Sequence, residues 1–230
     1  MPQSLFLAPL QEVATVWRAD ELARPIGAVL ATGHPALDRE LPGGGWPVGA
    51  ASEILQAQSG QNEWRLLLPA LARAAGPVVL VGAPHVPFGP GLAGQGLAPD
   101  QLLWITAQTP GARMWAGEQA LRCAQVAAVL VWLPQVRADQ MRRLQMAAAE
   151  HAKLLFVLRP AQARAEPSPA ALRLLLADAA NGTDLLLQII KRRGPPLQQA
   201  LAFPARAARL AALLALRGAS HALDRVAAAA

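Results

Sequence analysis

Between an apolar strand pattern ending at Leu55 and a helical pattern opening near Trp64 lies a polar run, Gln56-Ala57-Gln58-Ser59-Gly60-Gln61-Asn62-Glu63. A turn of this kind, leading from strand to helix, is where backbone amides can cradle a phosphate. That chemistry needs glycine for close approach, a Lys for the terminal phosphates, and a Ser or Thr hydroxyl for magnesium. Gly60 meets the first requirement, but Gln61 stands where the Lys would be and Asn62 replaces the hydroxyl. A cation ~4 Å from a phosphate oxygen contributes several kcal/mol even at an effective dielectric of ~20. Its loss therefore lowers affinity by orders of magnitude. Glu63 places a negative charge beside the same loop. The run predicts a degenerate site that holds no cofactor and no metal.

No other constellation supplies catalysis. Cys123 is the only cysteine, which excludes a disulfide framework and a Cys-based zinc site. His34, His85, His151 and His221 lack metal-ligand spacing, and no nucleophile triad or carboxylate pair is evident. The chain of 230 residues carries 21 Lys and Arg against 15 Asp and Glu, a surplus that suits nucleic acid or an acidic protein face. The start of the sequence lacks a basic segment before its short apolar stretch, which Pro9 interrupts, so no secretory signal is expected. The apolar run from Leu210 to Leu216 falls short of the ~20 residues needed to cross a bilayer. A cytoplasmic location without membrane contact is the expectation.

The elements that must position the loop follow from periodicity. Leu10, Val13 and Val16/Trp17 predict an amphipathic helix over 9–22, and His34 to Leu41 a short helix stopped by Pro42-Gly43-Gly44-Gly45. Apolar strands are expected at Ser52 to Leu55, Val78 to Val81, Leu102 to Ile105, Ala128 to Trp132 and Leu154 to Leu158. Helices alternate with them, from Trp64 to Gly76, Arg113 to Cys123 and Ala138 to Ala152. Such alternation predicts an α/β fold, a mostly parallel sheet with helices on both faces. After a Pro-rich loop over 160–169, strands at Leu172 to Leu176, Leu185 to Ile190 and Gln198 to Phe203 extend the sheet antiparallel, with Asn181-Gly182 as a hairpin turn. A helix over 205–217 follows, with Leu210, Leu213 and Leu214 on one face and an Ala-rich tail after it.

The stretch Ala31-Thr32-Gly33-His34-Pro35-Ala36-Leu37-Asp38, then Gly43-Gly44-Gly45-Trp46-Pro47-Val48-Gly49 and Ser52-Glu53-Ile54, resembles the lead-in to the ATPase core of RecA. Gly117-Glu118-Gln119-Ala120-Leu121 and the segment 185–203 continue the likeness, so it covers roughly 28–204. It implies a RecA-like three-layer core, flanked by an N-terminal helical arm over 1–27 and a C-terminal helix and tail over 205–230. RecA-like proteins place a catalytic Glu after the second of these strands, where Pro84 stands, and a metal-supporting Asp where Leu133-Pro134 stands. Proline and leucine neither accept a proton nor bind magnesium. The resemblance thus implies a degenerate ATPase, not an enzyme.

Within that superfamily the chain resembles ImuA, the RecA-like accessory of SOS-induced mutagenic translesion synthesis. Arg65-Leu66-Leu67-Leu68-Pro69-Ala70-Leu71, Ser168-Pro169-Ala170-Ala171-Leu172-Arg173-Leu174 and Lys191-Arg192-Arg193-Gly194-Pro195-Pro196 carry this likeness. It implies action by contact with an ImuB-like relative of the Y-family polymerases, with RecA as a further partner. The SulA-like division inhibitors, which bind the tubulin-like division protein, are a second degenerate family that fits. Candidate contacts are Leu10, Val13 and Trp17 on the first helix, Lys191, Arg192 and Arg193 at a strand end, and Arg206, Arg209, Leu210 and Leu213 on the last helix. Direct DNA binding is expected to be weak or absent. The loops that hold DNA in RecA are shortened here, leaving Arg159 and Arg164 with no interleaved aromatic.

Overall fold

In a computed structural model, residues 27–179, 184–195, 197 and 199–203 are described. The first helix with Leu10, Val13 and Trp17, the Asn181-Gly182 turn, and the last helix with Arg206, Arg209, Leu210 and Leu213 lie outside the described residues.

Ten strands and five α-helices alternate along the described chain. They are β1 (Val29–Leu30), α1 (Pro35–Glu40), β2 (Trp46–Pro47), β3 (Ala51–Gln56), α2 (Glu63–Leu71), β4 (Val78–Val81) and α3 (Gly89–Ala93). Then follow β5 (Leu102–Ile105), α4 (Pro110–Arg122), β6 (Ala128–Trp132), α5 (Ala138–Glu150), β7 (Leu154–Pro160), β8 (Leu172–Asp178), β9 (Leu185–Lys191) and β10 (Leu201–Phe203). Eight strands form one sheet in the order β10-β9-β8-β3-β7-β6-β4-β5, while β1 and β2 make a small antiparallel ribbon that the sequence pattern had not suggested.

The strands from β8 to β5 run parallel, and only β9 runs against them, pairing antiparallel with both β8 and β10. The expected antiparallel extension therefore begins one strand later than the sequence implied. β8 pairs parallel to β3, because the loop and 3-10 turn over Ala161–Ala165 return the chain to the start of the sheet. Successive side chains of the inner strands serve opposite faces. Val78, Leu80, Ala128, Leu130, Trp132, Leu154, Phe156 and Leu158 pack under α1 and α2. Their neighbours Val79, Val81, Val129, Val131, Leu155 and Val157 pack under α4 and α5. A strand buried on both faces must be apolar at every position, which is why these segments read as unbroken Val/Leu runs. The result is the α/β three-layer core expected from the likeness to RecA.

α2 ends at Leu71, short of the expected Gly76. Pro69, inside its last turn, has no N–H to continue the ladder, and the chain closes with tight turns from Arg73 N–H to Ala70 and Ala74 N–H to Leu71. β5, at the edge of the sheet, is only partly covered.

Candidate functional site

The loop after β3 sits at the carboxyl ends of the parallel strands, where open α/β sheets place their ligands. Gln56 closes β3 with its side chain buried and its amide without a hydrogen-bond partner among the described residues. Ser59 is half-buried and Gln61 is exposed, its amide turned onto Gln58. Asn62 bonds sideways to Asp178 at 3.2 Å and accepts from Arg65 at 3.3 Å. The loop itself carries no Lys or Arg.

What fills the turn is Glu63. Its carboxylate is fully buried and accepts from the Gly60 N–H at 2.7 Å, the Asn62 N–H at 3.1 Å and the Trp132 indole N–H at 3.1 Å. Two loop amides that an anionic ligand would need are therefore taken by a carboxylate of the chain itself. The position is favourable for a negative group, since Glu63 opens α2 and meets the positive end of its dipole. Trp132 reaches it from the end of β6, the strand followed at once by Leu133 and Pro134.

The chain after β4 covers the same place. Gly60 has φ +94°, and a Cβ there would lie 2.3 Å from His85 Cδ2 and 3.1 Å from Pro84 Cγ. Pro84, the residue standing at the expected position of a catalytic Glu, is thus part of a lid pressed on the loop. A recess of about 200 Å³ remains between Glu63, Trp64, Trp132, His85 and Phe88. Its lining contains no Lys or Arg to meet a phosphate.

The lead-in motif is scaffolding. Asp38 accepts the Thr32 N–H at 2.7 Å, and Thr32 Oγ1 accepts the His34 N–H at 3.0 Å. The His34 ring bonds through Nε2 to the Leu66 carbonyl of α2 at 3.1 Å and meets Phe203 edge-on at 4.9 Å. Burial pushes its pKa below the ordinary value, outweighing the carbonyl contacts and Asp38. Gly33 lets these pieces approach, because a Cβ at its φ of +87° would fall 2.4 Å from Pro69 Cβ.

Arg159 requires a correction. Sequence reasoning placed it as a nucleic-acid contact; in the structure it is buried and bonded to Glu53 at 2.9 Å and Glu166 at 2.6 Å. Its neighbour Arg173, also buried, gives Nε to the other Glu53 oxygen at 2.6 Å and Nη2 to the Ala163 carbonyl at 2.8 Å. Burial opposes the charge on Arg159, but the bonds to Glu166 and Glu53 outweigh it and raise its pKa. Arg164 is exposed on the same loop. The sequence did carry a signal for this cluster: Glu53, Arg159 and Arg173 interrupt or end apolar strand runs, and buried charges must pair.

The basic triplet divides. Lys191 is exposed and bonds to the Ser168 carbonyl at 3.0 Å. Arg192 is half-buried and turned inward, onto Glu40 and the Pro195 carbonyl, so it braces α1 instead of facing a partner. Arg193 is exposed and makes no ion pair among the described residues. Trp46 and Trp132 are buried, while Trp104 on β5 and Trp115 on α4 are 42% and 67% exposed.

No family model matches this chain, and no curated protein matches its sequence. Among the described residues no group of His, Cys, Asp and Glu could hold a metal ion, and no helix is long and apolar enough to cross a membrane.

Proposed function

We propose that this chain is a non-catalytic, RecA-like accessory factor of the ImuA type, acting in SOS-induced mutagenic translesion synthesis. It works by contact with an ImuB-like relative of the Y-family polymerases and with RecA. The observation that carries the pseudo-ATPase part is the Glu63 carboxylate seated on the Gly60 and Asn62 amides. A phosphate entering that turn would have to displace a buried carboxylate and would meet no Lys. Contact as the mode of action is supported by apolar side chains left in solvent at one side of the sheet. Leu103 and Trp104 lie on the outer strand β5, Trp115 on α4, and Val86 and Phe88 on the segment after β4. Aromatic anchors and an unpaired strand edge are what protein interfaces use.

Support for the translesion role is the set of sequence segments alone, so the test is aimed at it. Affinity capture of the tagged chain from DNA-damaged bacterial cells, with co-purifying proteins identified, should recover the ImuB-like protein, with or without RecA. Recovery of the tubulin-like division protein in its place would make the chain a SulA-like inhibitor. Titration with a fluorescent ATP analogue should show no saturable binding. Binding at micromolar concentration would refute the pseudo-ATPase reading.

A further inference from the structure

The recess beside Glu63 has the opposite chemistry to a phosphate site. Three separate stretches of chain wall it: Glu63 and Trp64 at the start of α2, Trp132 at the end of β6, and the segment from Ala83 to Phe88 after β4. Glu63 is fully buried and its carboxylate is met by three N–H groups, yet it makes no ion pair among the described residues. Those N–H groups solvate the negative charge without cancelling it. In surroundings of low dielectric such a charge acts strongly on whatever occupies the adjoining space.

The other walls favour the same sign of ligand. Trp64, Trp132 and Phe88 contribute aromatic rings, whose faces attract cations, and no Lys or Arg of the chain stands in the lining to answer them. Val86 and Phe88 are 69% and 73% exposed, so the apolar segment at the mouth is open to solvent. At about 200 Å³ the recess is smaller than the ~300–1,000 Å³ of pockets that enclose whole small molecules, and it suits the head group of one side chain.

We propose that this recess receives an arginine side chain from a partner protein. A guanidinium is planar and weakly hydrated, so it leaves water more readily than an ammonium and stacks on aromatic rings while its charge answers the carboxylate. A neutral apolar side chain would gain from the rings and leave Glu63 uncompensated, and an anion would be repelled. Val86 and Phe88 at the mouth would lie against the segment that carries the arginine, forming an apolar rim that excludes water from the anchor. The inference rests on the reading that the turn is closed to nucleotide and that the chain acts by contact, and it holds for any partner that presents arginine.

The probe is N-acetylarginine amide, with N-acetylcitrulline amide as its uncharged counterpart. The indole N–H signals of Trp64 and Trp132, assigned by single Trp→Phe substitutions, are followed in proton–nitrogen correlation spectra of the full-length chain. The arginine amide should shift both signals saturably, with a dissociation constant in the millimolar range, and the citrulline amide should leave them in place. Phe88→Ala alters an exposed side chain and should weaken binding about threefold to fivefold. Glu63→Gln keeps an acceptor on the turn and removes the charge, and should weaken it at least about tenfold. Should Glu63→Gln fail to fold, Phe88→Ala and the citrulline comparison decide. Equal shifts from the two amides, no saturation below ~100 mM, or an affinity unchanged by Phe88→Ala would overturn the proposal. The two readings fail separately: capture of no ImuB-like protein leaves a saturable arginine titration standing, and a flat titration leaves a successful capture standing.

Discussion

Replacing Glu63 by Ala removes one acceptor group from three donors at once: the Gly60 and Asn62 amides and the Trp132 indole. A hydrogen bond to a charged group is worth about 1.5–3 kcal/mol, and a buried donor left unmet costs about 1–3 kcal/mol. The adjoining recess lets water reach the loop amides, so the sum is less than three full bonds. A loss of about 2–4 kcal/mol is expected. For a chain of 230 residues, at about 2–4 °C per kcal/mol, this lowers the melting temperature by about 4–16 °C. The second half of the prediction concerns anions. Two backbone amides at a helix start, once emptied of their carboxylate, form a weak anion site. Inorganic phosphate at ~10 times its dissociation constant would return about 1.4 kcal/mol, a rise of about 3–6 °C. Thermal denaturation of Glu63→Ala in phosphate against chloride at matched ionic strength measures both effects. The unaltered protein should not respond to phosphate. A variant melting within ~1 °C of the parent, or a parent that gains as much from phosphate as the variant, would refute the reasoning.

Four further outcomes follow from the same geometry. Glu53→Ala leaves the Arg159 and Arg173 guanidinium groups buried without their shared carboxylate, and urea denaturation should show a loss of about 3–5 kcal/mol. Arg159→Ala should likewise be destabilising, whereas Arg164→Ala, on an exposed side chain, should stay within ~0.5 kcal/mol of the parent in the same assay. Gly33→Ala sets a Cβ against Pro69 in a left-handed backbone; a loss of about 2 kcal/mol or more is expected by thermal melting. Because burial lowers the His34 pKa, the unfolded chain binds the proton first as pH falls below ~6.5. Stability should therefore decline from that pH down to the folded pKa, and the decline should be absent in His34→Gln when melting is followed from pH 7.5 to 5.

Much of this fold was legible because its inner strands are covered on both sides. Val78–Val81 and Ala128–Trp132 match the expected spans residue for residue, since nothing polar could be tolerated in them. What the sequence blurred lies where local pattern and tertiary position diverge. β8 has the same apolar look as β9, yet one runs parallel to its neighbour and the other antiparallel, a distinction set by where the connecting chain returns. The ribbon of β1 and β2 is only two residues per strand and has no periodicity to read. Arg159 was misplaced because an arginine before a Pro-rich loop looks solvent-facing. Only the strand registers bring the three together: Arg173 of β8 stands opposite Glu53, and Arg159 of β7 stands opposite Leu55, two residues along β3 on the same face as Glu53.

Glu63 shows how a turn between strand and helix can hold its shape without a ligand. The turn between β3 and α2 leaves amide donors pointing inward, and those donors demand an acceptor whether or not a nucleotide is present. In a phosphate-binding protein the ligand completes them; here the first residue of the helix does so, with the Trp132 indole holding the carboxylate from the adjoining strand end. The one carboxylate both occupies the turn and satisfies its donors, so the shape of the turn does not wait on a ligand. An accessory protein acting by contact would gain from that independence, since its surface at β5 and α4 would be the same at every nucleotide concentration. It follows that ATP and ADP should leave the melting temperature of the parent protein unmoved, while a cycling ATPase of this fold must respond to both.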